Sequence, residues 1–94
     1  MQSEKPLLHF FASISNDYRI SSTHICVFAA LLYYRAVRGF SNPVFAYSAD
    51  IMSIAKLSAP KTYRKCIKDL SEYGYLRYEP SLKKNQASRI YLPE

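Results

Sequence analysis

The sequence predicts a mainly α-helical domain that begins with an apolar arm and ends in a small β-hairpin. Three observations carry this. Two long stretches hold apolar residues at helical spacing, and each is closed by a glycine, Gly39 and Gly74, the only two in the chain. After Gly74 the period changes: residues 75–79 and 88–92 alternate apolar with polar side chains, as paired strands do. Almost half of the 94 residues are hydrophobic, with nine tyrosines and five phenylalanines, a composition that suits a folded globule and argues against disorder.

A chain of 94 residues is one domain, too small to hold a catalytic unit beside a separate binding unit. Residues 1–20 form the arm and 21–94 the core. The arm opens polar, then places Leu7, Leu8, Phe10, Phe11 and Ile14 close together before Ser15-Asn16-Asp17 breaks the run. It is a short helix or an extended segment that packs on the core or exchanges with a second subunit. Lys5 ahead of this run imitates a signal peptide, but His9 interrupts it and no small-residue cleavage site follows.

Ser21-Ser22 supplies an N-cap and Ile20 a hydrophobic staple for a first main helix that reaches Arg38. Arg35 and Arg38 suit the negative end of the helix dipole, and Gly39 takes the C′ position. Ile25, Phe28, Ala29, Leu32 and Ala36 form an inward stripe, yet Val27, Leu31 and Tyr34 make another face apolar too. Such a helix needs two partners. One is the helix pair that follows; the other is the arm, a second subunit, or both. The continuous apolar run 25–34 falls short of the about 20 residues needed to span a bilayer.

Phe40 to Pro43 is a turn, and 44–46 a very short strand, permitted at a sheet edge after a proline. Ser48 caps a helix over 49–56, with Asp50 in its first turn and Ile51, Ile54 and Ala55 on one face. Leu57-Ser58 turns the chain, and Pro60 opens the helix 58–73 without removing a needed hydrogen bond. There Tyr63, Ile67 and Leu70 make one apolar stripe, while Lys61, Arg64, Lys65 and Lys68 populate the opposite and flanking faces. In the hairpin, Leu76 and Tyr78 face inward with Ile90 and Leu92, and the tip from Pro80 to Ala87 is polar and basic.

The net charge of +6 is unevenly placed: residues 1–55 hold four Lys/Arg against three acids, and 56–94 hold nine against four. This points to a polyanionic partner, nucleic acid ahead of an acidic membrane. Cys26 and Cys66, forty positions apart in apolar helical contexts, read as two buried thiols in a reducing, cytoplasmic compartment. His9 and His24 have no partner at ligand spacing and read as surface or internally satisfied residues. Asp69 and Glu72 support Lys65 and Lys68 through helical ion pairs worth about 0.2–0.5 kcal/mol each. Tyr63, Tyr73, Tyr75 and Tyr78 belong to the core and its rim. With no activated nucleophile, metal cluster, carboxylate pair or glycine-rich phosphate loop, the sequence predicts neither an enzyme nor a cofactor, metal or small-molecule site.

The order helix, short strand, helix, tight turn, helix, hairpin is the winged-helix plan. The run from Lys61 to Ser81 resembles the third helix and first wing strand of small bacterial winged-helix proteins, among them regulators and replication proteins carried on mobile elements. The resemblance covers residues 48–92 and leaves 1–20 untouched. The apolar residue before Gly-Tyr-Leu at 74–76 is common to many winged helices; Thr-Tyr-Arg-Lys-Cys-Ile-Lys at 62–68 with Tyr-Glu-Pro-Ser at 78–81 is more particular. The resemblance implies that Lys61, Thr62, Arg64, Lys65 and Lys68 face the major groove of double-stranded DNA, with Lys83, Lys84, Asn85 and Gln86 on the wing. Residues near the start of a recognition helix reach base edges, so Lys61, Thr62 and Arg64 are the readout candidates, and Lys65 and Lys68 suit phosphates. On the wing, Lys83 and Lys84 suit the backbone, and Asn85 and Gln86 a minor groove. The expected function is sequence-specific DNA binding in transcriptional regulation, by a homodimer formed through residues 7–38. The competing expectation is a winged-helix interaction module in a replication or mobile-element complex.

Overall fold

Four helices and three short strands follow one another in the computed structural model, which describes residues 5–39, 41–81 and 86–93. The order is α1 (Lys5–Ile14), α2 (Ser22–Val37), β1 (Val44–Ala46), α3 (Ser48–Ala55), α4 (Pro60–Glu72), β2 (Arg77–Glu79) and β3 (Ser88–Tyr91). The strands form an antiparallel sheet in the order β1-β3-β2, so the central strand is the last in sequence. Val44 and Tyr78 both pair with Ile90 across the two ladders. Asn42 extends the β1 edge with its side chain, donating through Nδ2 to the Leu92 carbonyl at 2.8 Å and accepting the Leu92 N–H at 3.1 Å.

The arm is a helix that packs on the core. α1 stops at Ile14, where Ser15-Asn16-Asp17 begins. Phe10 is buried, stacked on Phe28 of α2 with ring centres 3.9 Å apart and edge-on to Tyr75 at 5.4 Å. Burying one such ring contributes roughly 1.5–3 kcal/mol toward holding a ten-residue helix that would not persist alone. Leu8 and Phe11 on the same helix stay exposed.

α2 runs through the middle of the molecule. Ser21 is its N-cap, and the Ser21 N–H donates to His24 Nδ1 at 2.9 Å, so a histidine stands where a capping box usually has Glu or Gln. At the other end Arg38 is the C-cap, followed by Gly39 at φ 86°. The stripe that goes inward differs from the expected one. Val27, Phe28, Ala30, Leu31 and Tyr34 are buried, whereas Ile25, Ala29, Leu32 and Ala36 are half-buried. Both stripes are rich in apolar residues, so the choice falls to the packing of α1, α3 and α4, and these meet the stripe that also contains His24 and Arg35.

Cys26 corrects another expectation. It is exposed on the outer side of α2, while Cys66 of α4 is buried, and that burial pushes its thiol pKa up. Between α2 and α3, Cys26 lines a shallow groove of about 330 Å³ with Ala29, Ala30, Ile54 and Ala55. Small side chains leave that space open.

α3 begins with Ser48 as its first residue and Tyr47 as N-cap, one position earlier than the sequence suggests, and Asp50 lies in its first turn. It ends on Lys56 in the left-handed region at φ 63°, with the Leu57 N–H reaching the Met52 carbonyl at 2.9 Å. Residues 56–59 then turn the chain into α4, with Pro60 in its first turn as expected. Tyr63, Cys66, Ile67 and Leu70 bury one face of α4 against Phe28, Leu31, Ile51, Leu76 and Ile90 in a single core. No helix among the described residues is long and apolar enough to cross a membrane.

Candidate nucleic-acid interface

With Tyr63, Cys66, Ile67 and Leu70 anchored inside, the helical period dictates what α4 shows to solvent. Lys61, Thr62, Arg64, Lys65 and Lys68 are all exposed. At roughly 100° per residue, the four cations fall within an arc of about 100° opposite the buried stripe, and Thr62 lies about 60° beyond it, toward the buried side. Lys61, Arg64 and Lys68 have no ion pair among the described residues. The C-terminal half of the same surface is different, because Asp69 and Glu72 interrupt the positive charge there.

Lys65 is the tethered member of the set. Its Nζ donates to Asp69 Oδ2 at 2.9 Å along the helix, which holds the Lys65 pKa above its ordinary range. The same carboxylate oxygen lies 3.0 Å from Nε2 of the buried His24 on α2. Because the Ser21 N–H already occupies Nδ1, the hydrogen-bond pattern places the ring proton on Nε2, which donates to Asp69. His24 first and Lys65 second hold the Asp69 carboxyl below the usual carboxylate range. A chain of contacts therefore runs from the α2 cap, through a buried imidazole, to the basic face of α4.

A second tie fixes the far end of the helix. Asp17, in the loop after α1, accepts from Arg19 Nε and Nη2 at 2.8 Å each and from the Tyr75 hydroxyl at 2.6 Å. The Arg19 pair and the Tyr75 hydrogen bond hold the Asp17 carboxyl far below its ordinary value, and Tyr75 is correspondingly raised. The Arg19 guanidinium lies 3.9 Å from the centre of the Tyr73 ring. Tyr73 is the C-cap of α4, and Gly74 follows at φ 88°. Burial pushes the Tyr63 hydroxyl pKa up on the inner face, in keeping with its place in the core.

These ties were not readable as such. His24 is the satisfied residue that the sequence allows, and Asp17 falls in the helix break, but their partners lie 45 and 58 positions away. The polar character of His24 within an apolar stripe was the available signal. Of the expected wing residues, Lys83, Lys84 and Asn85 lie outside the described residues. Gln86 is exposed, and Ser81 Oγ reaches its Oε1 at 3.5 Å across the hairpin. Among the described residues no three His, Cys, Asp or Glu side chains gather as a metal-ligand group. Comparison with known protein families, with characterised proteins and with solved structures returned no match.

Proposed function

We propose that this chain is a winged-helix protein that reads double-stranded DNA with α4 in the major groove, in the service of transcriptional regulation. One observation carries the reading: α4 presents Lys61, Thr62, Arg64, Lys65 and Lys68 together on an exposed face whose opposite side is locked into the core. A helix of 13 residues is about 20 Å long, and a major groove about 12 Å wide accepts it lengthwise. The short α3, the turn at 56–59 and α4 supply the helix-turn-helix part, and β2 and β3 the wing. Positive charge concentrates in the N-terminal half of α4, the end that enters a groove first. Lys61, Thr62 and Arg64 are the base-reading set, and Lys65 and Lys68 the phosphate set, with Gln86 beside the flanking groove.

The experiment is selection of bound duplexes from a random pool, followed by binding of the recovered sequence across a salt series. A recovered consensus, with log affinity falling linearly against log salt, supports the reading. Absence of duplex binding at low salt sinks it.

A second reading rests on a different surface. Leu8, Phe11, Tyr33 and Val37 are large apolar residues that α1 and α2 leave exposed, and the groove beside Cys26 adjoins the outer face of α2. Under this reading the domain docks a protein in a replication or mobile-element complex, with residues 7–38 as the contact. A protein that sizes as a monomer and binds no duplex favours it.

A further inference from the structure

The outer face of the three-stranded sheet carries a set of flat side chains that duplex reading by α4 leaves unused. Alternation along the strands puts Val44, Ile90 and Tyr78 in one row on the inner face. The next row, on the outer face, is Phe45, Arg89 and Glu79, and the outer row on the other side pairs Tyr91 with Arg77. Phe45 is 57% exposed, and the Arg77 and Arg89 side chains are 65% and 55% exposed. The Arg77 guanidinium lies over the Tyr91 ring at 4.1 Å. Glu79 forms ion pairs with Arg77 at 3.0 Å and with Arg89 at 3.4 Å, which holds the two guanidinium groups across the sheet.

The chemistry of this patch differs from that of α4. Three of the four cations on α4 are lysines, compact point charges suited to phosphates, whereas both cations on the sheet are arginines beside aromatic rings. Planar guanidinium groups and aromatic rings stack on nucleobases. A duplex keeps its base faces stacked inside; a single strand offers bases and phosphates together. The patch keeps one excess positive charge after Glu79 is counted, so a polyanion is the complementary partner.

We propose that this sheet face binds single-stranded nucleic acid. Phe45 stacks a base, Arg89 pairs with a phosphate or stacks beside it, and the Arg77–Tyr91 pair receives the neighbouring nucleotide. The proposal stands on the sheet alone and does not depend on α4 reading duplex DNA.

The test is fluorescence anisotropy of the full chain with a labelled oligothymidylate of about twelve nucleotides, its oligouridylate counterpart, and a random duplex. Both single strands are expected to bind at low salt. Phe45→Ala weakens that binding about tenfold, the usual scale for losing one base stack. Arg77→Lys and Arg89→Lys weaken it although charge is kept, and Glu79→Gln strengthens it. Duplex binding is unchanged in Phe45→Ala, which lies outside the wing, and Lys61→Ala and Lys68→Ala leave single-strand binding intact. Phe45 is exposed, so its replacement leaves the melting transition in place, which circular dichroism verifies. Four results overturn the proposal: neither single strand binds; Phe45→Ala has no effect; the α4 variants abolish single-strand binding; or Phe45→Ala only converts a self-associated chain to monomer, which assigns the face to a second copy.

Discussion

Asp17 and Asp69 each accept from side chains of two residues, one of them distant in sequence, and both carboxyl groups titrate below their ordinary value of 3.8. A carboxylate whose folded-state pKa is depressed contributes stability that is present above its unfolded value and lost as the pH falls through the folded one. Asp17→Asn and Asp69→Asn are therefore expected to be less stable than the parent at about pH 7. The difference should begin to shrink below about pH 4, where the unfolded-state carboxyls take up protons, and keep shrinking as the pH falls through the depressed folded-state values. Urea melts of parent and variants at a series of pH values measure this, and a difference independent of pH would refute it. At this scale little was legible beforehand. Neither Asp17 nor His24 has a local partner pattern that announces its role, since Tyr75 and Asp69 reach them only once α1, α2 and α4 are docked.

Elements were more legible than side-chain ties, because helix ends are decided by local chemistry. Gly39 and Gly74 stop α2 and α4 where positive φ is required, and Pro60 sits at the first position of α4, as the sequence indicates. Gly74 has open space where a Cβ would stand, so Gly74→Ala carries only the conformational cost of the left-handed region, about 1 kcal/mol. Chemical denaturation should show that loss, while Lys56→Gly, which relieves a non-glycine residue at φ 63°, should not destabilise. α2 was legible as a helix but not in its orientation, because two apolar stripes compete and only the tertiary contacts choose.

The basic face of α4 carries its own test. Lys68→Ala should lower the salt slope of duplex binding by about 0.9 and weaken all sequences alike, whereas Arg64→Ala should relax base preference at one position, costing about 1–3 kcal/mol on the best site. Glu72→Gln should strengthen binding, because Glu72 faces the same arc as the cations. Equal effects of Lys68→Ala and Arg64→Ala on preferred and random duplexes would remove the division into phosphate and base contacts.

At the scale of the molecule, the principal extents are 36 × 28 × 22 Å. Two recognition helices reading one side of a duplex must sit about 34 Å apart, one helical turn. A second copy related by a two-fold axis at that spacing would lie within contact distance, and the large apolar residues exposed to it within residues 7–38 are Leu8, Phe11, Tyr18, Tyr33 and Val37. Tyr33 and Val37 lie four apart on the outer side of α2, next to the small-residue groove at Cys26, Ala29 and Ala30, so one helix can offer both a projecting ring and a recess. If the chain is a homodimer built this way, sedimentation should show concentration-dependent dimerisation that Tyr33→Glu abolishes. The selected DNA site should be a partial palindrome for the parent and a single half-site for the variant. A chain that stays monomeric at high concentration and selects an asymmetric site excludes the dimer while leaving the proposed reading by α4 intact.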